Sequence, residues 1–159
     1  MPATRLKQYL EENLVRYTCI PHCVTYTAQE TAAMTHIRGR ELAKAVMVKV
    51  DGEMAMAVVP ATKKVDPELL KEETGADRVE LSTEREFKDM FPDCEVGAMP
   101  PFGNLYGLRT FVDSALAEDE HIGFNAGTHA EAILLDYSDY WRLVQPVVAD
   151  IAYRARAHA

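Results

Sequence analysis

The residues best suited to chemistry in this chain are a glycine- and proline-rich stretch, a lysine that opens an apolar run, and a loop histidine. The stretch reads Gly97-Ala98-Met99-Pro100-Pro101-Phe102-Gly103. Glycine lets a backbone take positive φ or approach a ligand closely, and proline fixes φ while removing an N–H. Such a segment bends at its ends and is stiff in the middle. In a loop, the N–H groups of Gly97, Ala98 and Met99 have no evident partner and can grip a carbonyl or carboxylate oxygen. The same composition also marks a plain stiff turn between strands, and both readings stand. Lys44 precedes Ala45-Val46-Met47-Val48. It is either a strand-end lysine whose amine reaches water or an ammonium at a pocket rim, suited to a carbonyl, carboxylate or phosphate. His129 follows Asn125-Ala126-Gly127-Thr128 and, taken alone, is an exposed loop histidine. Arg38 and Arg40 form a small basic cluster that is either a solvated face or a phosphate receiver.

Other chemistries find less support. There is no Gly-x-Ser-x-Gly elbow and no cysteine in a protease-like setting, so covalent catalysis has no candidate. Cys19, His22 and Cys23 lie close together but lack a second ligand pair at zinc-like spacing. They read more simply as small buried residues, and no metal or other cofactor is expected. A glycine-rich phosphate fingerprint is also missing, because the Gly97 stretch contains prolines and opens no helix.

These residues need elements to hold them. Thr4 can cap a first helix carrying Leu6, Tyr9, Leu10 and Leu14 on one face. Val15 to Ile20 alternates as a short strand ended by Pro21. Thr27-Ala28-Gln29-Glu30 is a capping-box pattern for a helix through about Met34. Ala43 to Val50 is the strongest strand signal, turned at Asp51-Gly52 into Glu53 to Val59. Apolar residues on both faces make this hairpin central. If the valine face is the core face, Lys44 sits at the rim of the interior and Lys49 faces out. Asp66-Pro67 opens a helix that Gly75 closes. A brief strand spans Arg78 to Leu81, and a helix runs from Ser82 or Thr83 to near Phe91-Pro92. Strands follow around Thr110–Val112, His121–Asn125 and Glu131–Leu135, then a helix from Ser138 to Val144. Pro146 starts a final helix, Val147 to Ala157, with Arg154, Arg156 and His158 near its C-terminus. Intermixed strands and helices with an antiparallel hairpin predict a mixed α/β fold, its sheet curled or barrel-like and surrounded by helices.

Length and charge bound the partners. The 159 residues, 48% of them apolar, fit one domain, 1–159, with 146–159 as a C-terminal helical extension. No apolar run approaches the ~20 residues that span a bilayer. The N-terminus lacks the apolar core of a secretory signal, and three scattered cysteines suit a reducing cytoplasm. A formal charge of −8, from 17 basic and 25 acidic side chains, argues against extended tracking of duplex DNA. It leaves room for a local basic patch that holds a short single-stranded end.

Three segments in this order resemble the YbaK and prolyl-tRNA-synthetase-associated editing domain family. They are Thr27-Ala28-Gln29-Glu30-Thr31-Ala32-Ala33, Leu42-Ala43-Lys44-Ala45-Val46-Met47-Val48 and the Gly97 to Gly103 stretch. Phe111-Val112-Asp113 and Ile122-Gly123-Phe124-Asn125-Ala126-Gly127 continue the likeness, which runs from about residue 13 to 145. The resemblance implies a curled α/β sheet and hydrolysis of the ester joining a wrong amino acid to tRNA. It implies Lys44 as the functional lysine, Gly97 to Pro101 as the substrate loop and His129 as a pocket histidine. Lys44, Gly97 and His129 are then the catalytic candidates, and Ala98, Met99, Pro100, Pro101 and Arg40 the substrate-binding ones. One departure is Pro100, where relatives commonly carry a small or polar residue, which removes a possible donor. The implied partners are the acceptor end of a mischarged tRNA and, further, an aminoacyl-tRNA synthetase. The rival reading is a module that binds an aminoacyl or tRNA-end ligand without turning it over.

Overall fold

Asp51 and Gly52 reverse the chain with φ of 50° and 85°, the left-handed pair that a two-residue hairpin turn requires. The structure is a computed structural model that describes residues 4–22, 24–25, 27–95 and 97–154. Its first elements are α1 (Thr4–Glu12), β1 (Tyr17–Pro21), α2 (Ala28–Thr35), β2 (Ala43–Val50), β3 (Glu53–Pro60) and β4 (Lys63–Val65). Then come α3 (Pro67–Thr74), β5 (Val79–Leu81), α4 (Glu84–Phe87), β6 (Arg109–Asp113) and α5 (Ser114–Ala117). The chain continues through β7 (His121–Asn125), β8 (Glu131–Asp136), α6 (Tyr137–Val144), β9 (Val147–Ala149) and β10 (Ala152–Arg154).

Local chemistry accounts for the helix ends. The Thr27 side chain accepts from the Glu30 N–H at 3.1 Å and starts α2, and His36, at φ 61°, stops it. Asp66 accepts from the Glu68 N–H at 3.0 Å, Pro67 takes the first helical position, and Gly75 at φ 70° ends α3. Thr83 and Glu86 form the capping box of α4. Thr4 falls inside α1 instead of capping it.

The strands form a five-stranded sheet in the order β5-β2-β3-β6-β9 and a three-stranded sheet in the order β1-β8-β7, with β10 paired to β4. β2 is antiparallel to β3 and β5, whereas β3–β6 and β6–β9 run parallel. The sheet is therefore mixed, as expected. It curls without closing into a barrel. Because side chains alternate along a strand, β2 and β3 feed two cores. Ala43, Met47, Met56 and Val58 face inward with Ile122, Phe124, Ile133, Leu10 and Tyr140. Val48, Val50, Ala57 and Val59 face the other way, onto Leu70 of α3 and Ile151. Each large side chain so buried contributes about 1.5–3 kcal/mol. Both faces of β2 are thus core faces, and Lys49 leaves the interior only by reaching Glu80 and Glu86 at its edge.

The final helix predicted from Val147 is not formed. Residues 147–149 add a parallel strand beside β6, and 152–154 pair with β4. Val147 and Val148 are β-branched and stiff, which favours extended backbone, and an open edge of β6 is there to pair with. Residues 155–159, including Arg156, Ala157 and His158, lie outside the described residues. Asp113 holds this tail in place. It is 1% exposed, and its carboxylate accepts from the Ala115 N–H at 3.3 Å, the Ile151 N–H at 3.1 Å and Lys63 Nζ at 3.4 Å.

A buried carboxylate so placed cannot be removed cheaply, since its partners are left unpaired. Asp113→Ala should lower stability by about 3 kcal/mol. Urea unfolding should show this as a lower midpoint at unchanged slope. An unchanged midpoint would mean that the tail is held by apolar contacts alone.

Candidate functional site

The two sheets meet at one parallel bridge, Leu42↔Gly123. The Gly123 N–H donates to Glu41 O at 2.9 Å, and the Ala61 N–H donates to Leu42 O at 2.8 Å. Glycine leaves room for Ile37 at this junction. A Cβ on Gly123 would stand 2.9 Å from Ile37 Cδ1, so its absence lets Ile37 lie flat on the sheet. Beyond the bridge the strands part, β2 pairing with β3 and β5 while β7 pairs with β8. Lys44 lies two residues past the bridge on one arm of this fork, and Asn125 two residues past it on the other. Alternation puts both on the face that carries Leu42 and Gly123.

The Gly97 loop is stitched to the β7 arm. The Glu95 N–H donates to Gly127 O at 2.7 Å, and the Gly127 N–H returns a bond to Ala98 O at 2.9 Å. Gly97 takes φ 85°, and a Cβ there would be 3.4 Å from His129 Cε1. The structure therefore brings Gly97, Ala98 and His129 together. The His129 turn is pinned from outside by Thr25, whose N–H donates to His129 O at 3.0 Å, and by His22, whose N–H donates to Ala130 O at 2.9 Å. Behind the prolines, the fully buried Tyr140 donates its hydroxyl to Pro101 O at 2.7 Å, and its ring meets Phe102 edge-on at 5.3 Å. The Phe102 N–H closes a tight turn onto Pro100 O at 2.8 Å.

The three loop donors are not all open. The Ala98 N–H is spent on Glu95 O at 3.0 Å. The Gly97 N–H rests on Met99 Sδ at 3.3 Å, a weak acceptor that an anionic oxygen displaces easily. Ala98, Met99, Pro100 and Pro101 are buried, whereas Gly97 is exposed. A ligand meets this loop chiefly at Gly97.

Lys44 is half-buried and forms no ion pair among the described residues. Burial first, and then the nearby charge of Lys64, push its pKa below the ordinary 10.5. Other partly buried lysines are compensated: Lys7 by Glu131, Lys49 by Glu80 and Glu86, and Lys63 by Asp113. A cation held out of water without a counter-ion is set to receive an anion or a carbonyl dipole.

Arg40 is placed elsewhere. It lines a cleft of about 570 Å³ with Arg38, Glu41, Asp119 and His121, and neither Lys44, the Gly97–Pro101 loop nor His129 lines that space. Cys19 donates its thiol to Glu131, which Lys7 also reaches, and burial first, then that bond, raises its pKa. Cys23 lies outside the described residues. Sequence reasoning missed Tyr140 and Asn125. The first carries no signal beyond its place on an apolar helix face, and the second was quoted only inside the Ile122 to Gly127 segment and the loop before His129, without a role of its own.

The aminoacyl-tRNA editing domain family profile matches residues 22–143. The multifunctional Ser/Thr-tRNA deacylase ProXp-y of Escherichia coli (strain K12) is 34% identical over 122 residues, covering 72% of each chain. A proline–tRNA ligase of Bacillus mycoides (strain KBAB4) is 29% identical over 89 residues, 56% of this chain but 16% of that protein. A crystal structure of a candidate trans-editing enzyme for prolyl tRNA synthetase superposes with a TM-score of 0.84 at 18% identity, covering 96% of this chain and 97% of that one. The profile match and the 34% identity together show that the chain belongs to the aminoacyl-tRNA editing domain family.

Proposed function

We propose that this chain is an aminoacyl-tRNA deacylase, acting in trans to hydrolyse the ester of a mischarged tRNA. The observation that carries the reading is Lys44, a half-buried cation with no counter-ion among the described residues, on a fork whose other arm sets Gly97 beside His129. The family match and the deacylase named among the relatives support it. The likeness to a proline–tRNA ligase makes a synthetase a candidate partner. No described helix is long and apolar enough to cross a membrane, and cytoplasmic action on tRNA agrees with that.

The chemistry asks little of the protein. Water attacks the ester carbonyl carbon, the C–O bond to the terminal ribose breaks, and the ribose oxygen takes a proton. A free amino acid and uncharged tRNA leave. The Gly97 N–H exchanges its sulfur acceptor for the developing oxyanion. A main-chain donor of this kind is typically worth ~10²–10³ in rate. The Lys44 ammonium holds the ester carbonyl or the terminal phosphate, and His129 positions water or the α-amino group. The buried Ala98, Met99, Pro100 and Pro101 stiffen the loop behind Gly97. Arg40 would meet the tRNA backbone outside the fork.

The direct test is a panel of mischarged tRNAs. At least one should lose its amino acid well above the buffer rate, and a panel hydrolysed no faster than buffer rejects the reading. Gly97→Ala should cut the rate about 10²-fold, because an L-residue at φ 85° is strained and its methyl crowds His129.

Lys44→Met should abolish turnover yet raise Tm. The folded pKa of Lys44 is depressed, so at neutral pH the fold carries the cost of keeping it charged, and the substitution relieves that cost. A chain of this length gains about 2–4 °C for each kcal/mol relieved. A fall in Tm would instead make Lys44 a structural residue.

The same depression sets a pH dependence. Affinity for an amide-linked, non-hydrolysable aminoacyl-adenosine should fall as pH rises through a value below 10.5. Lys44→Arg should flatten this profile, since guanidinium stays charged there. An identical profile in the variant would assign the titration to another group.

A further inference from the structure

We infer that Lys64 and Tyr153, paired across the β4–β10 ribbon beside Lys44, form a nucleotide subsite: Tyr153 stacks a single-stranded base, and Lys64 holds its phosphate. The inference rests on the deacylase reading for what fills the fork, and it adds the nucleotide that precedes the terminal one. The family profile ends at residue 143, so β10 lies beyond the part of the chain that the profile describes.

The ribbon is built where Lys44 opens its strand. Lys44 pairs with Val59 in the β2–β3 ladder, and the chain turns through Ala61 and Thr62 into β4. Side chains alternate along β4. Val65 packs with Val48, Val50, Val59 and Ile151, Lys63 reaches the buried Asp113, and Lys64 between them is exposed on the other side. Lys64 forms no ion pair among the described residues, whereas Lys7, Lys49 and Lys63 all do. Among the described residues, the charge that acts on Lys44 is that of Lys64, and it acts against the ammonium. Two ammonium groups near each other raise the local potential on a chain whose formal charge is −8. A phosphate relieves both at once.

Tyr153 supplies the second half of the subsite. It stands directly opposite Lys64 in the antiparallel register, so both side chains leave the same face of the ribbon. The residue is 49% exposed, yet its strand is firmly held. The Ile151 N–H donates to Asp113 at 3.1 Å, and the Asp66 N–H donates to Ile151 O at 2.8 Å. An aromatic face presented on fixed backbone next to a cation suits single-stranded nucleic acid, since the charge follows the phosphates and the ring stacks a base. The order Lys44, Lys64, Tyr153 also matches the ligand. With the ester in the fork, the phosphodiester behind the terminal nucleoside falls to the two lysines, and the next base falls to Tyr153.

The test measures binding of the 5′-labelled RNA trinucleotide C-C-A, and of the same trinucleotide with an abasic middle position, by fluorescence anisotropy. Wild type should prefer the intact form about tenfold. Tyr153→Ala should erase that preference by weakening the intact form alone, and Tyr153→Phe, which keeps the ring, should retain it. Tyr153→Thr keeps a strand-forming residue without a ring; it should behave as the alanine variant does and covers the case in which alanine loosens the ribbon. Lys64→Gln should weaken both forms, keep the preference, and lower the slope of log affinity against log salt by about 0.7, one single-strand phosphate contact. No preference or no binding in wild type, a preference that survives loss of the ring or is lost in Tyr153→Phe, or an unchanged salt slope overturns the inference. Trinucleotide binding as expected, with no mischarged tRNA hydrolysed, would reject the deacylase reading and leave the subsite standing. Hydrolysis of a mischarged tRNA, with binding indifferent to the abasic change, would do the reverse.

Discussion

The structure depends on how its two sheets are joined. Their inner faces share one core, while their main chains meet at the bridge Leu42↔Gly123 and then part. Two strands that stayed paired would satisfy each other's backbone and leave no opening. Here β2 turns its edges to β3 and β5, and β7 turns to β8, so the main chain of both arms is paired without closing the gap between them. Gly123 suits the arrangement, because a Cβ there would push on the Ile37 side chain. A curled sheet that stops short of a barrel is what makes a fork, with Lys44 on one arm and the Gly97 loop bonded to the end of the other.

The two arms are unlike in their energetics. The β7 arm is stitched by paired main-chain bonds between Glu95, Ala98 and Gly127, and is backed by the Tyr140 hydroxyl on Pro101. On it the Gly97 N–H has only a thioether, and Asn125 Oδ1 has no hydrogen-bond partner among the described residues. The β2 arm is apolar and well packed except for one charge without a partner. Unsatisfied groups scattered over a surface mean little. Thr110 Oγ1, Asp119 Oδ2 and Tyr137 OH are also buried without a partner among the described residues, so such groups do not by themselves mark a site; Lys44 stands apart because the other partly buried lysines are paired with carboxylates.

Much of this was legible in the residues. Capping chemistry at Thr27, Asp66 and Thr83 sets helix starts that a propensity sum would blur, and Asp51-Gly52 sets the hairpin register. The Gly97 stretch and Lys44 fit a plain turn and a strand end equally well by residue type, and only their order along the chain singled them out. What could not be read depends on pairing at a distance. Val147 to Ala149 contains good strand formers and also follows a proline that suits a helix start; only the free edge of β6 decides between them. The expectation of three open N–H donors failed for a local reason, since Ala98 closes a turn onto Glu95. Arg40 lies near Lys44 in sequence, yet it falls on the far side of the bridge, where the arms are still joined.

The loose bond on Gly97 is the feature that ties rigidity to chemistry. A donor already bound to a strong acceptor would have to give up as much as it gains on meeting an oxyanion. A donor left wholly bare in a loop would be solvated and free to wander. Sulfur is a middle course: Met99, 6% exposed and anchored in the inner core, holds the N–H in one direction at little energetic depth. Pro100 and Pro101 keep that direction fixed from the other side, and their carbonyls are spoken for by Phe102 and Tyr140. The extra proline that removes a donor from this loop also removes a degree of freedom from it. One well-aimed N–H needs no reorganisation when charge develops, and electrostatic stabilisation in an active site gains most from that condition.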